Sequence, residues 1–528
     1  MMDSHDQFNR DRLFARLDDE SQPWDVVVIG GGATGVGVAV DAATRGYRVA
    51  LFEQHDFGKG TSSRSTKLVH GGVRYLEQGN VGLVREALHE RGRLCQNAPH
   101  LVHPLPTIVP LHSQWERIYY GIGLRVYDLL SGRLRLGPSR HLSLAETQAE
   151  IPTLETAGLC GGIRYFDGAF DDARLLVNLV QTAIEAGAVC LNYVPVRELV
   201  KESGRVVGVV VVDAETGSER RVQGRVVINA TGPFSDHTRR LDDPQAEAAI
   251  VPSQGIHLVF DRAFMPGDTA LVVPKTRDGR IMFAIPWHEH AVVGTTDTPL
   301  KEASLEPRPL PAEIEFLLET IAPYWTRKPQ PSDIRSIFAG VRPLARSGDS
   351  HNTAKLARDH VIRVSTSGLI SIMGGKWTTY RKMAEDGVDR AIVVGGLLSK
   401  PCRTKTLRIH GAEGTYSQGV LAGYGGDGQA INQLASSRPE LAAPLADRLA
   451  YNAAQVVWAA RHEMARSVED VLARRVRILF LDAAAALAAA PKVAELLAAE
   501  LGRDATWRAD QLQQFQLVAE HYRYHAGA

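Results

Sequence analysis

Unbroken apolar runs, polar breaks and helical spacing divide the chain before any chemistry is considered. Residues 25–29 (DVVVI) predict a short buried strand, since no polar residue follows the first. Three glycines then turn the chain, helical spacing runs over 33–43, Arg45-Gly46 ends it, and 47–53 predicts a second buried strand. Ahead of this unit, 1–23 reads as a capped helical arm. Behind it, 54–75 is dense in small and polar residues. That stretch reads as a solvated loop or, from the donors Lys67, His70, Arg74 and Tyr75, as the lining of a site; the second reading is preferred. A charged amphipathic helix is predicted over 81–98, and another from Asp171-Asp172 to Glu185, whose aspartates suit a helix N-terminus. Strand patterns follow at 189–193, 194–199, 206–213, 219–222 and 225–229, the middle three as a meander. Residues 251–341 are rich in alternating strands and read as an antiparallel substrate sheet. A hairpin over 361–372 leads into Gly374-Gly375 and a helix to Ile392. From about Pro401, alanine and leucine at helical spacing predict an all-α segment, with helices over 441–449, 453–466, 467–479, 483–501 and 508–522.

The stretch 114–136 differs in character. Trp115, Ile118, Tyr119, Ile122, Tyr127 and Leu130 alternate with Arg117, Arg125, Arg133 and Arg135. A basic helix with aromatics lies well in a bilayer interface, but a core helix with snorkelling arginines has the same pattern. On sequence alone both readings stand.

Strand, glycine turn, helix and strand ending in an acid together form a dinucleotide fingerprint. Gly30 permits the tight turn, Gly32 lets backbone approach a pyrophosphate, and Gly35 lets helix and strand pack closely. Glu53 lies about twenty residues beyond the glycines, where a carboxylate can bond a ribose hydroxyl. These residues do not separate NAD from FAD. The strand ending in Ala230-Thr231-Gly232 returns the chain to the ligand-binding edge of such a sheet, and Gly374-Gly375-Lys376 supplies a second glycine turn before a helix.

Composition narrows the classes. A chain of 528 residues implies two or three domains. Sixty basic residues balance sixty acidic ones, which gives no support for a nucleic-acid partner. Cys95, Cys160, Cys190 and Cys402 lie far apart, without metal-type spacing, so free thiols and no metal are expected. No apolar run is long enough to span a bilayer and the N-terminal residues lack a signal-peptide core, so a cytoplasmic protein is expected, with a membrane surface left open.

Together the motifs resemble the FAD-dependent sn-glycerol-3-phosphate dehydrogenases over almost the whole chain. The resemblance rests on TSSRSTKLVHGGVRYLEQG at 61–79, DDAR at 171–174, NATGP at 229–233, IPW at 285–287, GTTD at 294–297, GVRPL at 340–344, RDH at 358–360, GGKWTTYRKMAE at 374–385 and RHEMARSVEDVLARRVR at 461–477. It implies an α/β fold: a Rossmann-like FAD-binding domain (1–110, 165–250 and 340–400), an antiparallel-sheet substrate domain (111–164 and 251–339) and an all-α C-terminal domain (401–528), the last read by default as a cap or dimerisation element. It also selects FAD over NAD, with Gly30, Gly32, Gly35, Glu53, Thr61, Ser62, Lys67, Thr231, Gly232, Gly375, Lys376 and Thr378 as the expected cofactor-binding set.

For the reaction, the resemblance implies that sn-glycerol 3-phosphate loses its C2 hydride to flavin N5. Arg358, Lys376, Tyr75 and Thr295 would hold the phosphate, and Arg74 and Arg342 would stabilise the emerging alkoxide. His257 and His70 compete as general base, with His257 preferred for its place in the substrate sheet and His70 set over the flavin. The expected acceptor is a membrane quinone, reached from the inner face of the cytoplasmic membrane, possession of an anionic-surface contact at 114–136 favouring this over a soluble oxidase that yields hydrogen peroxide. A non-catalytic flavin-binding assembly protein is the third reading, disfavoured by the arginine and lysine cluster. A homodimer is expected.

Overall fold

The computed structural model describes residues 6–19, 21–77, 79–346, 360–447 and 449–525. Two sheets organise them. In the first, the order is His360–Val364, Ile370–Gly374, Glu219–Asn229, Trp24–Ile29, Val49–Phe52, Val189–Leu191. The last five run parallel, and the meander of Val196–Glu202 and Arg205–Val212 is attached to Glu219–Asn229. The valines of Trp24–Ile29 are fully buried, in one apolar core with helix Ala33–Thr44 and with Val206, Val209 and Val211 of the meander. Helix Ala33–Thr44 packs against Tyr380–Gly395 and Asp172–Glu185. Chain order reverses on either side of Trp24–Ile29, which opens a crevice at the strands' carboxyl ends.

The second sheet has ten strands among the described residues, with the long pair Ile250–Asp261 and Ile334–Ala345 antiparallel to one another. Strands Val102–Leu111 and Gly161–Phe170 belong to this sheet and pair along their whole length. The expected boundaries at 110 and 165 therefore cut these strands: their partners lie in the second sheet, and backbone pairing decides their membership. Residues 219–222 and 225–229, expected as two strands, form one continuous strand, since nothing at Gln223-Gly224 breaks the ladder.

The C-terminal part is helical, with Ala453–His462, Ala483–Leu501 and Ala505–Ala519 as its main helices. The helix expected over 441–449 is absent. Pro444 cannot continue it, and Pro444–Ala446 pairs instead with Leu449–Asn452 in a short ribbon. This part does not stand apart. Phe480, Val476 and Leu479 share one apolar cluster with Trp287, Phe338 and Leu68 of the second sheet. Truncating a buried phenylalanine such as Phe480 to alanine costs about 3–5 kcal/mol.

Helix Gln114–Ser131 is capped by Ser113, whose hydroxyl accepts from Glu116 N at 3.2 Å. It buries Gly121, Leu124 and Tyr127 and exposes Trp115, Ile118, Tyr119, Ile122, Val126 and Leu129. Leu129 is 80% exposed and Trp115 72%, which is not the environment of a core helix. No described helix is long and apolar enough to cross a membrane.

Candidate active site

A cleft of about 1290 Å3, its open mouth included, lies at the crevice of the parallel sheet. Gly30, Gly32, Glu53, Thr61, Ser62, Thr231, Gly232, Gly375 and Lys376 line it. Its floor is mostly backbone. At Gly35 a Cβ would stand 1.9 Å from Gly30 O, so only glycine lets the helix start this close to the strand. Gly35 thus shapes the cleft from behind and does not face it. Glu53 is clamped at the second strand's end, Oε2 accepting from Gly31 N at 2.7 Å and Oε1 from His55 N at 2.9 Å. Burial nevertheless raises its carboxyl above the usual range. Among the described residues, narrow glycine turns beside a helix N-terminus and an acid at the ribose position fit an extended dinucleotide.

Besides Gly35, two residues expected at the cofactor are not on the cleft wall. Thr378 is buried behind the second glycine turn, where its hydroxyl accepts from His70 N at 3.2 Å. Lys67 is fully buried, and its Nζ donates to Asp172 Oδ2 at 2.7 Å and Ser63 O at 2.8 Å. Burial, reinforced by the nearby Arg477, lowers the Lys67 ammonium to about 7 even though Asp172 favours the charged form.

The residues expected at the substrate gather where the second sheet meets the cleft. Arg342 stands opposite Ser253 in the long strand pair, and its Nη2 donates to Thr295 Oγ1 at 3.0 Å and Thr296 O at 2.9 Å. Nη1 reaches Gln254 O at 3.2 Å and Asp297 Oδ1 at 3.3 Å. Gly255 makes this possible: a Cβ there would fall 2.3 Å from Arg342 Nη2. Pro343, the next residue, lines the cleft together with Lys376. Lys376 Nζ sits 4.1 Å from the Tyr75 ring centroid, a cation held against a phenol face.

His257 is 2% exposed and stacks on Phe338 with ring centroids 4.7 Å apart. Its Nε2 meets Thr66 Oγ1 at 3.0 Å. Burial first, then the charges of Lys67 and Arg342, hold its proton affinity well below the ordinary imidazole value. His70 is less buried, its ring 6.3 Å from that of Phe283. Arg74 begins the short helix Arg74–Glu77, but its side chain, like the whole of Arg358, lies outside the described residues.

Sequence reasoning missed the charge network behind this site. Asp172 accepts from Ser65 N, Ser65 Oγ, Lys67 Nζ and Arg477 Nη2, all at 3.0 Å or less. Burial opposes ionisation of Asp171, but Arg477 and His288 hold it far below the usual carboxylate range. Asp56 takes both Arg474 and Arg475. DDAR and RRVR are visible as motifs, but no spacing rule pairs residues some three hundred positions apart.

Comparison with known proteins agrees with this architecture. Residues 25–381 match the family model described as FAD dependent oxidoreductase, and 370–508 match the C-terminal domain of alpha-glycerophosphate oxidase. The mitochondrial glycerol-3-phosphate dehydrogenase of Arabidopsis thaliana is 40% identical, covering 95% of this chain and 87% of its own. The human mitochondrial glycerol-3-phosphate dehydrogenase is 38% identical, over 93% of this chain and 72% of its own. The structure of a Bacillus halodurans glycerol-3-phosphate dehydrogenase complexed with FAD superposes with a TM-score of 0.79 at 29% identity, covering 98% of both chains. An L-α-glycerophosphate oxidase from Mycoplasma pneumoniae shares the fold at a TM-score of 0.56 and 16% identity, over 73% of this chain and 98% of its own. Backbone cradle, family match and near full-length relatives converge: the chain belongs to the FAD-dependent oxidoreductases, among the glycerol-3-phosphate dehydrogenases, and FAD is its cofactor.

Proposed function

We propose that the protein oxidises sn-glycerol 3-phosphate to dihydroxyacetone phosphate. The observation that carries this reading is Arg342 fixed beside Thr295 and His257, next to the cleft wall that bears Lys376. When bound, FAD supplies the acceptor, at N5, for the C2 hydride. The chain's own residues do the rest. Lys376 and Arg358 hold the substrate's phosphate with charge-assisted bonds, aided by Tyr75 and Thr295. Arg342, with Arg74, stabilises negative charge at the C2 oxygen as its proton leaves. His257 is kept neutral by burial and by its cationic neighbours, and neutral imidazole is the form that accepts a proton. Thr66 fixes the ring through Nε2. The test is anaerobic addition of glycerol 3-phosphate, which is expected to bleach the bound flavin; an unbleached flavin removes the enzymatic reading.

The electrons are proposed to pass to a membrane quinone, with the protein held peripherally at the inner face of the cytoplasmic membrane. Helix Gln114–Ser131 supports this, since an exposed apolar face flanked by Arg117, Arg125, Arg133 and Arg135 suits an anionic bilayer surface. Arg125→Glu with Arg133→Glu should release the protein from anionic liposomes in co-sedimentation, and unchanged sedimentation would discard the contact. Rapid peroxide formation in air without a quinone analogue would move the acceptor to oxygen.

A further inference from the structure

Residues Thr61 to Lys67 form a strap that touches each working part of the site. Ser62 Oγ accepts from Ala33 N at 2.9 Å, at the start of the helix beside the cleft. Ser62 O accepts from Trp377 Nε1 at 2.8 Å, at the second glycine turn. Thr66 meets His257. The strap is too short and too polar to be held by an apolar core of its own, so its position depends on what anchors it from behind.

Thr61 Oγ1 donates to Val341 O at 2.6 Å and Arg64 Nη1 to Ala339 O at 3.1 Å on the second sheet, and a further anchor comes from the C-terminal helical part. Arg477 has a side chain 1% exposed, and its backbone sits in the left-handed region at φ +61°. One nitrogen, Nη2, donates to Ser63 O and to Asp172 Oδ1, both at 3.0 Å, while Nη1 returns to Ala473 O at 2.8 Å. The guanidinium lies over Phe480 at 4.2 Å and Trp287 at 5.3 Å. Lys67 Nζ donates to the same carbonyl and the other oxygen of the same carboxylate. Two cations on different domains therefore share Ser63 O and Asp172. A fixed planar fork can bridge the strap, the helix start at Asp172 and its own backbone at once; a single ammonium cannot hold that geometry. Arg477 does not line the cleft.

We propose that Arg477 is a positioning residue of the flavin site: through Ser63 O and Asp172 it sets the strap so that Ser62 meets the cofactor cradle and Thr66 meets His257. The C-terminal part then completes the flavin site as well as packing on the sheet. The proposal rests on FAD binding in the cleft and not on the identity of the substrate, and its readouts need no turnover.

The test compares Arg477→Gln and Arg477→Lys with Arg174→Gln. Arg174 pairs with Glu463 at 2.7 Å across the same boundary and, among the described residues, makes no hydrogen bond to the strap, so its variant reports general loosening of that boundary. FAD affinity of the apoprotein, visible circular dichroism of the bound flavin, thermal midpoint and hydrogen exchange of the 61–70 amides are measured on the full chain. Arg477→Gln is expected to weaken FAD binding at least tenfold, alter the flavin dichroism and speed exchange of the strap. Arg477→Lys should fall between it and the parent, and Arg174→Gln should lower the midpoint while leaving FAD affinity and strap exchange near parental. If Arg477→Gln does not fold, Arg477→Lys decides: faster strap exchange with weaker FAD binding supports the proposal, and parental values in both overturn it. Equal loss of FAD affinity in Arg174→Gln at a matched midpoint overturns it too.

Discussion

The two ends of the cofactor cleft are built on different principles. At the fingerprint end, one contiguous unit of strand, turn and helix places backbone against the ligand, and the acid on the cleft wall, Glu53, is held by two backbone amides. At the reactive end, side chains converge from the 61–75 segment, two strands of the second sheet and the turn at Thr295, the second glycine turn and, behind them, the C-terminal part. The first end tolerates almost no change in backbone shape. The second depends on the separate placement of charges, and its failures should be graded and dependent on pH.

The largest effect is expected at the fingerprint end. Gly35→Ala puts a methyl carbon 1.9 Å from Gly30 O, so bound flavin should be lost outright, read as the ratio of flavin to protein absorbance. Stoichiometric flavin would mean that the backbone there yields more readily than the comparison requires. At the reactive end, Arg342→Ala should lower kcat/KM by about a hundredfold or more, equivalent to about 3 kcal/mol by analogy with lost oxyanion donors. FAD content should stay parental, and near-normal turnover would take Arg342 out of the site.

A smaller effect lies away from both ends, at His410. Burial opposes protonation, but bonds from His410 to Asp427 and Glu185 raise its imidazolium to about 9. Because the folded value is raised, this contribution is fully present below about pH 6.5 and is lost as pH rises through about 9. It amounts to at most about 3 kcal/mol. Denaturant midpoints between pH 7 and 10 should fall in the parent and stay flatter in His410→Gln, with the flavin spectrum unchanged. A parallel fall in both would remove the histidine as the cause.

The finest test concerns the charges around His257. Its proton affinity is lowered by burial, Lys67 and Arg342, so the acid limb of kcat/KM should lie below 6.5, the ordinary imidazole value. Lys67→Met removes one like charge and should move that limb upward. An unmoved limb would mean that Lys67 acts only through Asp172.

The sequence was most legible where local rules suffice. The run 25–53 fixed its strand, turn, helix and strand because each piece follows from neighbours a few residues away, and Gly30, Gly32 and Glu53 do line the cleft. Helix Gln114–Ser131 was legible as a helix, but its outward face was not, because an amphipathic pattern does not name the medium it meets. Local rules failed at 441–449, where helical composition was overruled by Pro444, and at the strands Val102–Leu111 and Gly161–Phe170, whose sheet is chosen by pairing partners.

The same division separates the residues of the site. By itself the sequence determined that an α/β dinucleotide fold would form and which glycines would bring backbone to the ligand, because chain sterics and burial act over short spans. It also carried the motifs that point to FAD and to Arg342, Lys376 and His257. Only the tertiary structure decided that Lys67 and Thr378 turn away from the cleft, and that Asp172 is shared by Lys67 and Arg477. Burying a charge is costly unless an opposite charge arrives beside it, and which distant segment brings that partner is settled only when the chain has packed.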